Sequence, residues 1–405
     1  MATPAQRTNT WILNEWYDQA VAGTTGGYQV AKYLYTWGTN QDGQLALNDR
    51  TNRSSPTQVG TASNWGFLCK GQDGFHHTGA IKTDGTLWMW GQNTDGELGF
   101  NSRADHRSSP AQLGTDSTWA RLVTGGKENC MATKTDGTLW AWGSNASGGL
   151  GQNQTYTHVR SSPVQIGTGT DWDTGTAKIS SGFYTNFAIK TDGTLWSWGY
   201  NSDGQVGQNQ GGYQFISSPT QIPGTTWDKL AVQNYNHTAA IKTNGTLWTW
   251  GEGQYGQLGN NQNENNTRRY SSPVQVPGTT WASITAHASC MYAVKTDGTL
   301  WTWGRNHEGQ LGINLGSPTT SRSSPTQVGT DTTWSTDPVH ITGAYESNIS
   351  LLKTDGTLWS WGSNANGSQG LNDRTARSSP TQVGTSSQWV AVSAAGVGGR
   401  TALSS

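Results

Sequence analysis

The phrase AIKTDGTLWSWG, residues 188–199, is one of six near-identical copies in this chain. The others are GAIKTDGTLWMWG at 79–91, MATKTDGTLWAWG at 131–143, AAIKTNGTLWTWG at 239–251, YAVKTDGTLWTWG at 292–304 and SLLKTDGTLWSWG at 350–362. Two short apolar runs of period two joined by Asp-Gly or Asn-Gly are the strongest local signal for a β-hairpin. A hairpin cannot bury its apolar faces alone, so six copies in one chain require that the copies pack on one another.

Aligned on the Gly that ends each Trp-Gly pair, the markers are Gly38, Gly91, Gly143, Gly199, Gly251, Gly304 and Gly362, spaced 52 to 58 residues apart. Each unit reads TLWxWGxNxxGQLG, a variable stretch, SSPxQV, a Trp after a turn, a short apolar run and AIKTDG. That is four strand-sized runs per unit with no helical periodicity. The prediction is an all-β, seven-bladed β-propeller of four-stranded antiparallel blades. In Leu-Trp-x-Trp the tryptophans share one face, and x is Ala, Ser or Thr in five of the six copies (Ala141, Ser197, Thr249, Thr302, Ser360; Met89 is the other). Bulky faces are therefore expected to pack on small-residue faces of neighbouring blades, with most tryptophans in the core.

The seventh hairpin is divided. The chain ends Arg400-Thr-Ala-Leu-Ser-Ser405 where the Asp-Gly turn should come, and the missing second strand is Tyr33-Leu-Tyr-Thr-Trp-Gly38. Pairing of N- and C-terminal strands within one blade closes the ring and removes an exposed sheet edge. The expected organisation is an N-terminal arm, residues 1–29, and a propeller, residues 30–405, with one blade shared by 31–38 and 378–405.

Gly at 54 of 405 residues and only 13% charged residues suit short strands and tight turns. A formal net charge of −1 gives no reason to expect nucleic acid or an acidic membrane as partner. Cys69, Cys130 and Cys290 lie in different repeats without metal spacing and read as buried small hydrophobes. No apolar stretch has the length of a signal peptide or a membrane span, so a soluble protein of the cytoplasm or of a virion is expected.

The string W-G-x-N-x-x-G-Q-L-G, then R-S-S-P-x-Q-V, then G-x-x-H-T-x-A-I-K-T-D-G resembles the repeat of the regulator of chromosome condensation family over residues 31–405. The resemblance implies a seven-bladed propeller closed by strand exchange. It also implies, as one function, exchange-factor activity on a small nuclear GTPase together with chromatin binding helped by a basic tail. Here the first 30 residues carry only Arg7, Glu15 and Asp18 as charges. A plant ultraviolet-B photoreceptor branch of the family uses Gly-Trp-Arg-His-Thr. The corresponding GFHHT, GKENC, GFYTN, NYNHT, AHASC and GAYES contain no tryptophan, and the repeat histidine remains as His77 and His237.

Gly251-Glu-Gly253-Gln-Tyr-Gly256 fits the dinucleotide fingerprint only because Gly253 replaces the repeat Asn, and no helix pattern follows. No catalytic, cofactor or metal signature is present, and the expectation is a non-enzymatic protein without cofactor. Arg53, Arg107, Arg160, Arg322 and Arg377 precede SSP and are read as structural, with Asp42, Asp95 and Asp203 as candidate partners. Recognition is expected in the variable segments, which reach NNQNENNTRRY at 260–270 and hold Tyr156, His158, Tyr213, Phe215, Arg268, Arg269 and Tyr270. Strand direction puts all these loops on one rim and the termini on the other. The arm's apolar Trp11, Ile12, Leu13, Trp16 and Tyr17 make it a candidate anchor, in cis, in an oligomer or in an assembly.

Two functions are compatible with this reading. One is a structural or binding module of a larger assembly, such as a phage decoration, fibre or host-recognition protein, with the loop rim meeting a protein, a host receptor or a surface glycan. The other is a guanine-nucleotide exchange factor or other regulator of a small GTPase, which rests on the family resemblance.

Overall fold

The computed structural model describes residues 30–70, 76–125, 129–154, 159–210, 212, 214–232, 237–261, 269–287, 289–315, 321–344, 347–395 and 398–405. Among them, 28 strands form seven four-stranded antiparallel sheets. A complete blade is β3 (Trp65–Leu68), β4 (His77–Lys82), β5 (Leu87–Gly91) and β6 (Arg107–Gln112), hydrogen-bonded in that order. The strand that follows the Trp turn packs against its counterpart in the next blade at six of the seven joints, so these strands line the centre and the SSP strands form the outer edge. The expected seven-bladed ring is the observed one.

Closure is also as expected. β1 (Tyr33–Gly38) lies between β2 (Arg53–Gln58) and β28 (Gly399–Ser404), and β28 pairs in turn with β27 (Trp389–Ala394). The register runs unbroken from Tyr33 opposite Ser404 to Gly38 opposite Gly399. The propeller is the compact unit Lys32–Ser405.

Most letters of the repeated phrase have a physical task, shown by residues 295–303. Asp297 Oδ1 accepts from the Thr299 N–H at 3.0 Å and from its hydroxyl at 2.6 Å, and that hydroxyl accepts from the Trp301 indole at 2.9 Å. Gly298 has φ +77°, and a Cβ there would lie 2.0 Å from the Thr332 carbonyl oxygen, so only glycine fits the turn. Lys295 places its ammonium 4.2 Å from the Trp301 ring centre and 4.9 Å from that of Trp281. Leu300 and Thr302 are fully buried. The second tryptophan, Trp303, is fully buried and donates its indole N–H to the Gln257 carbonyl of the preceding blade at 2.9 Å.

That last contact recurs around the whole ring. Trp37, Trp90, Trp142, Trp198, Trp250, Trp303 and Trp361 each donate to a carbonyl of the preceding blade, at 2.8–3.0 Å. A second inter-blade bond also recurs seven times. Asn48, Asn101, Asn153, Asn209, Asn261, Asn314 and Asn372 stand at φ between +55° and +59°, and each donates its backbone N–H to a Ser carbonyl of the next blade's SSP strand. Asn tolerates this left-handed conformation better than other side-chain-bearing residues. The Leu/x face of one blade meets the Trp face of the next, as in the cluster of Leu87 and Met89 with Trp119 and Trp142.

Two sequence expectations are refined. The first tryptophan of each Leu-Trp-x-Trp is only half-buried, under its lysine, rather than in the core. Four of the arginines before SSP are engaged elsewhere than by the acidic residues of the xDGQLG turn. Arg53 meets Asp49 at 2.5 Å and Arg377 meets Asp373 at 2.7 Å, each four residues upstream in the same connection. Arg107 lies over the Phe100 ring, and Arg160 donates to Gln154 at 3.4 Å. Asp42 instead faces His76, Asp95 meets Arg103 at 2.9 Å, and Asp203 binds Arg269. A spacing of four residues lets the Asp-Arg pair close locally, whereas Asp95 is taken by Arg103 of its own connection and Asp42 reaches His76 of the next blade.

All three cysteines are buried and free. Burial pushes the Cys69 and Cys290 thiols up to about 12 and the Cys130 thiol well above its ordinary value. Gly253 and Gly256 belong to the same turn as in other blades, with the Gly256 N–H donating to the Gly253 carbonyl at 3.1 Å, so the glycine-rich string is a propeller loop.

The turn aspartates make stability acid-sensitive. Hydrogen bonds from the Thr two residues on hold Asp84, Asp136, Asp192, Asp297 and Asp355 below 3.8. For Asp331 burial acts upward, but the hydrogen bonds and charge of Lys353 and Thr333 prevail and bring it to about 2. Depressed carboxylates stabilise the fold above their unfolded pKa and lose that contribution as pH falls through the folded one. The melting temperature is therefore expected to be level above about pH 5 and to fall between about pH 4 and pH 2 in calorimetry. A melting temperature unchanged down to pH 2 would contradict this assignment.

Candidate functional site

In six blades the second and third strands meet at the Thr-Asp-Gly or Thr-Asn-Gly turn, and in the seventh they are the paired terminal strands, so the loop before the second strand and the loop after the third share the opposite rim. Of the predicted recognition residues, Phe215, Arg269 and Tyr270 are described there, while Tyr156, His158, Tyr213 and Arg268 lie outside the described residues. So do all five anchor candidates, Trp11, Ile12, Leu13, Trp16 and Tyr17.

Two neighbouring blades depart from the repeat at this rim. In most blades the third strand ends at the Trp-Gly glycine, but β13 (Leu195–Tyr200) and β17 (Leu247–Glu252) run one residue further. Each adds one cross-strand pair, Tyr200 opposite Phe215 on β14 (Phe215–Ile222) and Glu252 opposite Arg269 on β18 (Arg269–Gln275). The pairs stand where the other blades end their ladders, and they rigidify the side chains the longer loops bring to the surface.

The first pair belongs to an aromatic run. Ring centres are 4.4 Å apart for Phe183 and Tyr184, 5.7 Å for Tyr184 and Tyr200, and 5.4 Å for Tyr200 and Phe215, and all four rings are half-buried. The second pair carries charge. Arg269, with a side chain 59% exposed, reaches across the blade boundary to Asp203, whose side chain is 6% exposed. Burial raises the Glu252 carboxyl above its ordinary value, Asp203 adds to this, and Arg269 opposes it. One blade further on, the Arg305 guanidinium lies 5.2 Å from the Tyr255 ring centre. Tyr270 takes the repeat's arginine position and packs against the apolar cluster of Phe187 and Trp250, so it supports the strip from below.

Arg269 and Phe215 thus join one strip, and Phe183, Tyr184, Tyr200, Tyr255 and Arg305 complete it. The sequence carried a signal for Tyr200 and Arg305, since both occupy the residue after Trp-Gly, which is Thr39, Gln92, Ser144, Glu252 or Ser363 in the other units. Half-buried aromatics and arginines held by a sheet ladder are the side chains that carry binding energy in protein interfaces, because they bury much area at little entropic cost.

Deeper in the ring the polar groups hold blades together. Arg400 is fully buried and donates from Nε to Ser350 at 3.2 Å and from Nη2 to the Asn348 carbonyl at 3.2 Å, tying the closing blade to its neighbour. Burial, with the nearby charges of Arg400 and His237, brings His287 down to about 3 and so keeps it neutral at physiological pH. His77 and His237, the positions of the repeat histidine, are also fully buried. Among the described residues no helix is long and apolar enough to cross a membrane.

Comparison with known proteins agrees with this architecture. The RCC1-like domain matches residues 121–404, and the regulator of chromosome condensation (RCC1) repeat matches residues 33–67 and 84–133. The chain is 25% identical over 350 residues to the ultraviolet-B receptor UVR8 of Arabidopsis thaliana, covering 85% of this chain and 76% of the receptor. It is 28% identical over 290 residues to the E3 ubiquitin-protein ligase HERC2 of Homo sapiens, covering 69% of this chain but only 6% of that protein. In structure it is similar to Prp20p from Saccharomyces cerevisiae, a protein described with binding to Gsp1p and histones. The TM-score is 0.77 at 18% identity, over 93% of this chain and 92% of that one.

Proposed function

The chain belongs to the RCC1-like domain family, and from that premise we propose that it is a non-enzymatic regulatory propeller that binds a protein partner through the strip from Phe183 to Arg305. The observation that carries this reading is the pair of extended ladders, Tyr200 with Phe215 and Glu252 with Arg269, which fix aromatic and arginine side chains at the rim. Regulation of a small GTPase is the finer reading, and the likeness to Prp20p, which binds Gsp1p, supports it. A receptor, a ubiquitin ligase and a Gsp1p-binding protein are among the relatives, and they favour this over a virion surface protein.

The test is release of a fluorescent guanine nucleotide from a panel of small GTPases, with binding followed in parallel. A partner that binds the wild type should lose about 2 kcal/mol, near thirtyfold in Kd, on Tyr200→Ala or Arg269→Ala. Binding that survives both variants undiminished removes the strip from consideration. Binding without accelerated nucleotide release retains the binding propeller and discards exchange activity.

Residues 1–29 are proposed as an attachment segment. Their deletion is expected to leave the propeller's melting temperature unchanged and to lower the assembly mass seen by light scattering. An unchanged mass would set the attachment role aside.

A further inference from the structure

In the inner strands a large core side chain commonly stands three positions after the tryptophan, as in Trp119 to Leu122 and Trp227 to Leu230. Two blades break it. Trp172 precedes Ile179 and Trp334 precedes Ile341, each with four extra residues. The first insertion holds Gly175, Thr176 and Ala177. The second forms the short 3-10 helix η1 (Pro338–His340), whose N–H of Val339 donates to the Asp337 side chain at 3.0 Å. Both insertions reach the central opening on the rim of the Thr-Asp-Gly turns, where they help enclose a cavity of about 240 Å³.

The wall of this cavity is apolar, with Leu68, Leu122, Ile179 and Val339 among its residues. Phe67 stands at its edge with 40% of its surface exposed, one of three large exposed hydrophobics among the described residues. Against this wall are three cations, Lys32, Lys70 and Arg121, and one carboxylate, Asp337, which already accepts the N–H of Val339.

The cations have donors to spare. The Arg121 guanidinium stacks 4.1 Å from the Phe67 ring centre and donates from Nη1 to the Ala120 carbonyl at 2.7 Å, while its buried Nε has no hydrogen-bond partner among the described residues. The carboxylate that acts on it, Asp173, is occupied by Lys178 at 3.2 Å and by the Gly175 N–H at 2.8 Å. Lys70 spans from its own blade to the inserted segment, donating to the carbonyls of Pro338 and of Ile341, the latter at 3.1 Å. An ammonium has three donors, and the described residues engage two of them. Burial brings Lys70 down to about 8 against the opposite pull of Asp337, so the cation is short of countercharge. An anion placed against the guanidinium and the ammonium would supply the charge-assisted acceptors that these donors lack.

We propose that this channel mouth is a binding site for a small organic carboxylate with a flat apolar body, its carboxylate on Arg121 and Lys70 and its body between Phe67 and the Leu68, Leu122 and Val339 wall. The cavity is smaller than the roughly 300–1,000 Å³ of most ligand pockets, which restricts the ligand to one or two rings. A flat body continues the stack that Arg121 and Phe67 already begin. The site lies on the rim opposite the aromatic strip, so it is independent of the partner-binding reading.

Titration calorimetry of the full chain with 2-naphthoate, 2-naphthamide and acetate tests it. The expected result is saturable one-to-one binding of 2-naphthoate, at least tenfold weaker binding of the neutral amide, and no detectable binding of acetate. Arg121→Gln should weaken 2-naphthoate at least tenfold with the melting temperature unchanged. Lys70 also bridges two blades, so Arg121→Gln rather than a Lys70 variant carries the test. If Arg121→Gln fails to fold, the carboxylate-to-amide ratio on the wild type decides. No binding of 2-naphthoate up to millimolar concentration, equal binding of the amide, or unchanged affinity in a folded Arg121→Gln protein would each overturn the proposal.

Discussion

Removal of the last strand, Gly399–Ser404, is expected to abolish the folded monomer. The strand is second from the centre of its blade and pairs on both sides, with Tyr33–Gly38 and with Trp389–Ala394. All six of its residues are buried, among them Arg400, Ala402 and Leu403. Its loss takes away both ladders, leaves two unpaired edges at the seam of the ring and exposes the seventh blade's core. Loss of a buried leucine alone costs about 2–5 kcal/mol, set against a total stability of about 5–15 kcal/mol for a typical domain. Circular dichroism and size-exclusion chromatography of the 1–398 chain should show a weakly structured, aggregating species. A permuted chain tests whether closure rather than chain length matters. With an Asp-Gly turn joining Ser404 to Tyr33 and new ends at Asn244 and Gly245, it keeps all seven blades and should fold. A monodisperse 1–398 protein with cooperative unfolding would show that the closing hairpin is dispensable.

The second large effect is expected at the inter-blade tryptophans. Trp303→Ala should lower unfolding free energy by about 3–5 kcal/mol in denaturant titration, the range for an aromatic removed from a packed core. The side chain is fully buried, its ring centre is 5.9 Å from that of Trp281, and its indole is the donor to the Gln257 carbonyl. Trp303→Phe retains much of the volume but leaves that carbonyl unmet, with an expected cost of about 1–3 kcal/mol. Trp301→Ala, two residues earlier, should cost about 1–2 kcal/mol, because it loses half-buried area and one cation–π contact with Lys295. Equal losses at positions 301 and 303 would refute the division of labour between the two tryptophans.

This division was only partly legible in the primary structure. Period-two spacing put both tryptophans of Leu-Trp-x-Trp on one face and so suggested one fate for them. The blade is wedge-packed, and the residue nearer the Thr-Asp-Gly rim emerges beneath its lysine while the other enters the joint between blades. The arginines before SSP gave a similar lesson. Their repetition marked them as structural, but the choice of Asp49 over Asp42 depends on how the connection folds back, which spacing does not encode. The rim strip was read at Phe215 and Arg269, whose segments differ visibly in length, and overlooked at Tyr184, Tyr200 and Tyr255. Those three acquire meaning only through neighbours on other strands.

The sequence by itself determined the number of blades, the four-strand unit and the place where the ring is sewn shut. These are local or periodic properties, in which a hairpin signal of a dozen residues repeats and its divided copy identifies the two ends that must pair. Only the tertiary structure decided which aromatics and arginines share a surface and what the centre of the ring encloses. Those groupings join residues from different blades, and their distances follow from how far each blade is rotated about the common axis. Two four-residue insertions at Trp172 and Trp334 passed as irregularities in the repeat, yet the ring's curvature brings them together over one cavity.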